Sequence, residues 1–67
     1  MKLTLQEPKI GDVVRWKLHQ FTADVREGRV IYADLENGVF DAVTTDGRRV
    51  WGHTGLVFEI NGKAVNQ

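Results

Sequence analysis

The residues able to do chemistry are few and scattered. His19 and His53 are the only imidazoles, and cysteine is absent. That excludes a thiolate nucleophile, a disulfide framework and a Cys-ligated zinc site. A His base or metal ligand needs partners close by. Asp41 falls near His53 across the predicted strands, but the expected register turns the two side chains to opposite faces. No Ser–His–Asp set, carboxylate pair or phosphate-cradling glycine loop stands out. The chain is therefore read as non-enzymatic, with no catalytic residue, no cofactor and no metal site.

What remains is binding chemistry. Arg26, Arg29, Arg48 and Arg49, with Lys17, make the one basic cluster. Guanidinium forks suit phosphate, and Trp51 or Phe40 could stack on bases. The nine basic residues are balanced by nine acidic ones, however, and Asp24, Glu27 and Asp46 interrupt the cluster. A zero net charge favours protein over nucleic acid as the partner. Trp51 beside Phe40, Arg49 and His53 could equally anchor a protein partner, because Trp and Arg are enriched at interface hot spots. Its structural alternative is to fill the core beside Ala42. Trp16 shares a face with Val14 and Leu18 and reads as core, leaving Arg15 and Lys17 as a basic strip outside. Asp34, Glu36 and Asp41 form an acidic rim at one hairpin.

These side chains must be positioned by strands. Three turn dipeptides, Asn37-Gly38, Asp46-Gly47 and Asn61-Gly62, punctuate the second half of the chain. Each suits a two-residue hairpin, whose central positions need φ > 0. No window shows a clean helical period. The predicted strands are 12–18, 25–35 with a bulge or bend at Gly28, 38–45, 48–53 and 56–60. Residues 63–65 either pair across Asn61-Gly62 or fray. Two-residue pairing sets Thr45 against Arg48, Val43 against Val50 and Ala42 against Trp51, and likewise Leu35 against Phe40. One face then carries Ile31, Ala33, Leu35, Phe40, Ala42 and Trp51, read as the core. The other carries Val30, Tyr32, Asp34, Asp41, Val43, Val50 and Arg48. A one-residue slip would exchange the two faces. The same pairing sets Asp34 against Asp41, an unfavourable like-charge pair, which points to a four-residue loop at that hairpin.

At 67 residues the chain is one small domain. The reading divides it into an arm over 1–10, a folded unit over 11–60 and a turn and tail over 61–67. No apolar run is long enough to span a bilayer and residues 1–9 contain no apolar h-region, so the expected location is the cytoplasm, with no membrane partner. A chain this small without a disulfide or metal is marginally stable or gains stability from self-association.

Several short motifs resemble those of small SH3-like barrels. Gly11-Asp12-Val13-Val14 resembles their GDxV opening. Gly28-Arg29-Val30 resembles the GxV of KOW- and Tudor-type barrels. Asp46-Gly47-Arg48-Arg49-Val50, with Leu56 following, resembles the segment that closes a Tudor-type core. Gly52-His53-Thr54-Gly55-Leu56-Val57 resembles the GxxGLV turn before the last strand of SH3 domains. Together they cover most of residues 11–60. The resemblance implies an all-β, five-stranded antiparallel SH3-like barrel, built as a hairpin meander, whose activity is binding. The ALYDY-like segment and aromatic cage of peptide- and methyl-lysine-binding members are absent, so no ligand follows from it.

The function expected is a small protein-interaction module or accessory protein, of the size found in phages, that docks on a partner or forms a homo-oligomer. The residues expected at the contact are Tyr32, Phe40, Val43, Arg48, Arg49, Val50, Trp51 and His53. The alternative is a KOW-like nucleic-acid-binding module that uses Arg26, Arg29, Arg48, Arg49 and Trp51.

Overall fold

A computed structural model describes residues 7–21 and 23–65. Most of the expected arm, Thr22 of the first loop and the last two residues lie outside the described residues. The chain is all-β, with strands β1 (Val13–Lys17), β2 (Val25–Asp34), β3 (Val39–Thr44), β4 (Arg49–His53), β5 (Val57–Ile60) and β6 (Lys63–Ala64). A single 3-10 turn, Thr54–Leu56, is the one helical element among the described residues. The strands form one antiparallel sheet in the order β4-β3-β2-β1-β5-β6. The five strands expected are thus six, because the Asn61-Gly62 turn closes a last hairpin with Ile60 opposite Lys63.

The turns form for the reasons their residues suggest, and two of the three have the expected length. Asn61 and Gly62 both adopt positive φ, 51° and 84°, as a two-residue type I′ turn requires. Asn61 also binds the start of β1. Its side-chain oxygen accepts from the Val13 N–H at 2.9 Å, its N–H donates to the Val13 carbonyl at 2.7 Å, and its amide donates to Asp12 at 3.1 Å. The loop between β2 and β3 spans four residues, since Asp34 pairs with Val39. This is the length that keeps Asp34 from facing Asp41. Asp34 instead accepts from the Asn37 side chain at 2.8 Å, within its own loop.

The Asp46-Gly47 hairpin departs from expectation. Thr44 donates to the Arg48 carbonyl at 2.8 Å, and Gly47 donates to the Thr44 carbonyl at 2.9 Å. Gly47 sits at φ 85°. This is a three-residue loop, a tight turn followed by a left-handed glycine. It moves the β3–β4 register by one residue, so Ala42 faces Val50 and Asp41 faces Trp51. Val50 and Gly52 therefore point inward, and Arg49, Trp51 and His53 point outward.

A second shift lies in β2. Val30 pairs with Ala42 but Tyr32 pairs with Asp41, so Ile31 is an inserted residue. The bulge expected at Gly28 is at Ile31 instead. Gly28 has a different reason to be glycine, since a Cβ there would come within 2.8 Å of the Val43 carbonyl oxygen. The Ile31 bulge exchanges the faces of β2 partway along its length. Val30 turns inward and is buried, while Ile31 and Leu35, expected in the core, are exposed.

The core is Val14, Trp16, Val30, Phe40, Ala42 and Val57, with Ala33, Val50, Ile60 and Val65 packed at its margin. Leu18, expected beside Trp16, is exposed. Trp16 spans this interior. Its ring meets Phe40 edge to face, with centroids 5.0 Å apart at 84°, and reaches Gly52 on β4. Strands lie ~4.8 Å apart, so in a flat sheet β1 and β4 would be about 14 Å apart. The contact therefore requires the sheet to curl around the indole. The indole N–H finds no acceptor among the described residues, a cost on the order of 1–3 kcal/mol. Burying the whole ring gains roughly 4–6 kcal/mol at the usual area coefficient, so burial wins.

A Cβ on Gly52 would lie 2.5 Å from the Trp16 Nε1 and 2.9 Å from the Phe40 ring, whereas one on Gly55 meets nothing. Gly52→Ala is therefore expected to destabilise the chain by about 1–3 kcal/mol, and Gly55→Ala by less than about 0.5 kcal/mol. Urea unfolding followed by circular dichroism measures both. Equal costs would refute the packing of Trp16 on Gly52.

Candidate functional site

The outward residues of β2, β3 and β4 form a small grid. Its rows, read across the strands, are Arg29–Val43–Arg49, Tyr32–Asp41–Trp51 and Asp34–Val39–His53. The alternation of side chains along each strand puts all of them on the face opposite the core. Trp51 is 61% exposed and Tyr32 52%, an unusual investment of two large aromatics in a surface. The bulged Ile31 and the loop residue Leu35 are also exposed.

Polar groups fix the geometry of this face. Arg49 donates to Asp41 at 2.7 Å, bridging β4 to β3 beneath the Trp51 position. The Trp51 and His53 rings meet edge to face, with centroids 5.1 Å apart at 77°. Trp51 is thus held from one side by its strand neighbour and borders a neutralised ion pair on the other. At the hairpin tip the Thr44 hydroxyl donates to Asp46, and Arg48 lies 3.7 Å from the same carboxylate. That hydroxyl bond, opposed weakly by desolvation and helped by Arg48, holds the Asp46 carboxyl below its ordinary pKa.

The expected contact residues divide between two places. Tyr32, Val43, Arg49, Trp51 and His53 share the outer face, and Arg48 is exposed at the adjoining turn. Phe40 is fully buried, and Val50 packs against the core. Trp51, expected in the core, is outside it. Asp41 and His53, expected on opposite faces, share the outer one, because the three-residue loop shifts their register by one. Ile31 is at the surface because nothing in the run Val30-Ile31-Tyr32-Ala33 marks which residue is inserted, and Leu35 because it falls within the four-residue loop.

The basic strip on β1 is also tied down. Arg15 lies 3.7 Å from Glu27 and 3.8 Å from Glu59, with its guanidinium over the Phe58 ring. Among the described residues no group of acidic, His or Cys side chains is placed to hold a metal ion, and no helix is long and apolar enough to cross a membrane. The chain matches no family model, no curated protein and no solved structure.

Two measurements check this geometry. In Trp51→Phe the remaining indole is Trp16, so emission should shift to the blue and acrylamide quenching should fall several-fold. Unchanged quenching would place Trp51 inside. The second concerns the hairpin tip. A carboxyl whose folded-state pKa is depressed stabilises the fold fully above its ordinary range, and that contribution is lost as pH falls through the depressed value. Removing the hydroxyl with Thr44→Val should raise the Asp46 pKa toward normal in an NMR titration. A pKa that stays low in the variant would assign the shift to Arg48.

Proposed function

We propose that this chain is a small non-catalytic protein-interaction module, and that it docks through the outer face of β2, β3 and β4 with Trp51 as its anchor. The observation that carries this reading is the exposure of Trp51 and Tyr32 on either side of the Asp41–Arg49 ion pair. An exposed Trp that meets His53 edge to face, on the same face as Val43, Tyr32 and Arg49, has the composition of an interface hot spot. Its rigidity lowers the entropy lost on binding.

We further infer that the sheet belongs to the SH3-like barrels. Three features support this. The order β5-β1-β2-β3-β4 keeps β1 inside the sheet. Trp16 draws β1 toward β4. The 3-10 turn at Thr54–Leu56 stands where the Gly52–Val57 motif resembles the turn before the last SH3 strand. The nucleic-acid reading draws less support. Arg48 and Arg49 are each engaged by an acidic side chain, so two of its phosphate contacts would first have to be released.

The test is retention on the immobilised full chain. A protein ligand, whether another protein or a second copy, should be held by the wild type. Trp51→Ser should weaken that binding by roughly 30-fold, a hot-spot loss of about 2 kcal/mol, without altering the circular dichroism spectrum. A ligand bound equally by the variant would remove Trp51 from the site. Salt-sensitive retention of a short RNA or DNA alone would replace the reading with the nucleic-acid one.

A further inference from the structure

The two ends of the sheet are not alike. β6 is two residues long and carries Lys63, which are two of the ordinary protections of a sheet edge. β4 is five residues long and contains neither Pro nor Lys. Its cation Arg49 is already neutralised by Asp41 at 2.7 Å. Among the described residues no strand pairs with its far side.

The hydrogen-bond phase of β4 shows which groups this edge offers. Thr44 bonds Arg48 at one end, and Thr54 bonds Gly38 at the other. In an antiparallel ladder bonded pairs alternate with non-bonded ones. Arg48, Val50, Gly52 and Thr54 are thus the residues bonded to β3. The N–H and C=O groups of Arg49 and Trp51, and the N–H of His53, point away from β3, toward the free edge; the His53 carbonyl opens the 3-10 turn. The side chains of these same three residues stand on the outer face. Backbone donors and the Trp51 anchor are therefore offered together.

We propose that β4 pairs antiparallel with the β4 strand of a second copy of this chain, about a two-fold axis at Trp51. Arg49 of one copy lies opposite His53 of the other, and the two Trp51 residues lie opposite each other. This extends the docking reading above and rests on it. The central Trp51 pair exchanges two bonds, and in each outer pair the His53 N–H donates to the Arg49 carbonyl. No other antiparallel register pairs all three residues. The charges also fit a copy. Arg48 and Arg49 are internally paired and the chain has a formal net charge of zero. A strongly acidic or basic strand would find no uncompensated charge at this edge, whereas a copy brings none. The two Trp51 rings meet across the seam and join the two outer faces.

Sedimentation across a wide concentration range should show a monomer–dimer equilibrium. The absence of native cysteine allows the register to be read by single-cysteine pairs. Residues in a bonded pair have Cα atoms about 5.5 Å apart, within disulfide range. Residues 49 of the two copies would be about 13 Å or more apart. An oxidised mixture of Arg49→Cys and His53→Cys chains should therefore cross-link as the mixed dimer, in preference to either homodimer. His53→Pro removes one free-edge N–H from each copy at a residue with φ −94°, and should raise the dimer dissociation constant about tenfold or more. A monomer at all concentrations, or a dimer in which the 49 and 53 cysteines do not cross-link, overturns the proposal. If in that case the Trp51→Ser-sensitive retention persists, the docking reading stands and only its occupant is wrong. If retention is also lost, both fall.

Discussion

The fold depends on one side chain crossing one interior. Trp16 leaves β1, fills the space under Phe40 and ends against Gly52 on β4. A core of six fully buried side chains has no second residue able to bridge that distance. The sheet must curl far enough to bring β4 to the indole, and position 52 must lack a side chain. The buried, unpartnered indole N–H shows how strongly shape dominates here. A polar group is left unsatisfied because no smaller apolar residue would fill the volume.

That packing also decides what the protein presents to solvent. Side chains alternate along a strand, so a Gly52 that faces Trp16 obliges Trp51 and His53 to face out. The backbone phase alternates with the same period, which turns the free amides of these outward residues to the sheet edge. Core, exposed Trp51 and open edge are therefore three consequences of a single register. A chain with β4 slipped by one residue would direct Trp51 at Trp16, where two indoles cannot fit. The three-residue loop Thr45–Gly47, with its left-handed glycine, holds the register that avoids this collision.

Much of the fold was legible because its local signals are strong. Asn-Gly and Asp-Gly dipeptides mark hairpins, and the strand between each pair follows. The clash of Asp34 with Asp41 even indicated the four-residue loop. The faces were less legible, since they depend on two single-residue choices. An Asp-Gly hairpin accepts either two or three loop residues, and both accommodate glycine at positive φ. An apolar run such as Val30 to Ala33 accepts a bulge at any member. Each choice reverses the side chains beyond it. Phe40 and Ala42 lie on the expected inner face because β3 lies between the two shifts, which takes Phe40 out of the expected contact residues. Val30, Val50, Ile31 and Trp51 were misplaced because they lie beyond them. For the candidate site, Tyr32, Val43, Arg49, Trp51 and His53 stand out by residue type, but the face they share becomes apparent only with the register.

The position of β4 gives the outer face a mechanical character. Elsewhere in the sheet Arg15 ties β1 to both of its neighbours through Glu27 and Glu59. β4 has β3 on one side only, so its order comes from that ladder, from the Asp41–Arg49 bridge and from the Trp16 indole behind Gly52. A surface ion pair contributes on the order of 0–1 kcal/mol, which leaves the ladder and the indole as the main restraints. A strand that paired with this edge would supply the missing second ladder and so stabilise the strand that carries Trp51. Binding and folding of β4 are therefore linked by mass action. In a domain this small, the stability that an internal staple would otherwise provide is available at the edge that the core leaves open.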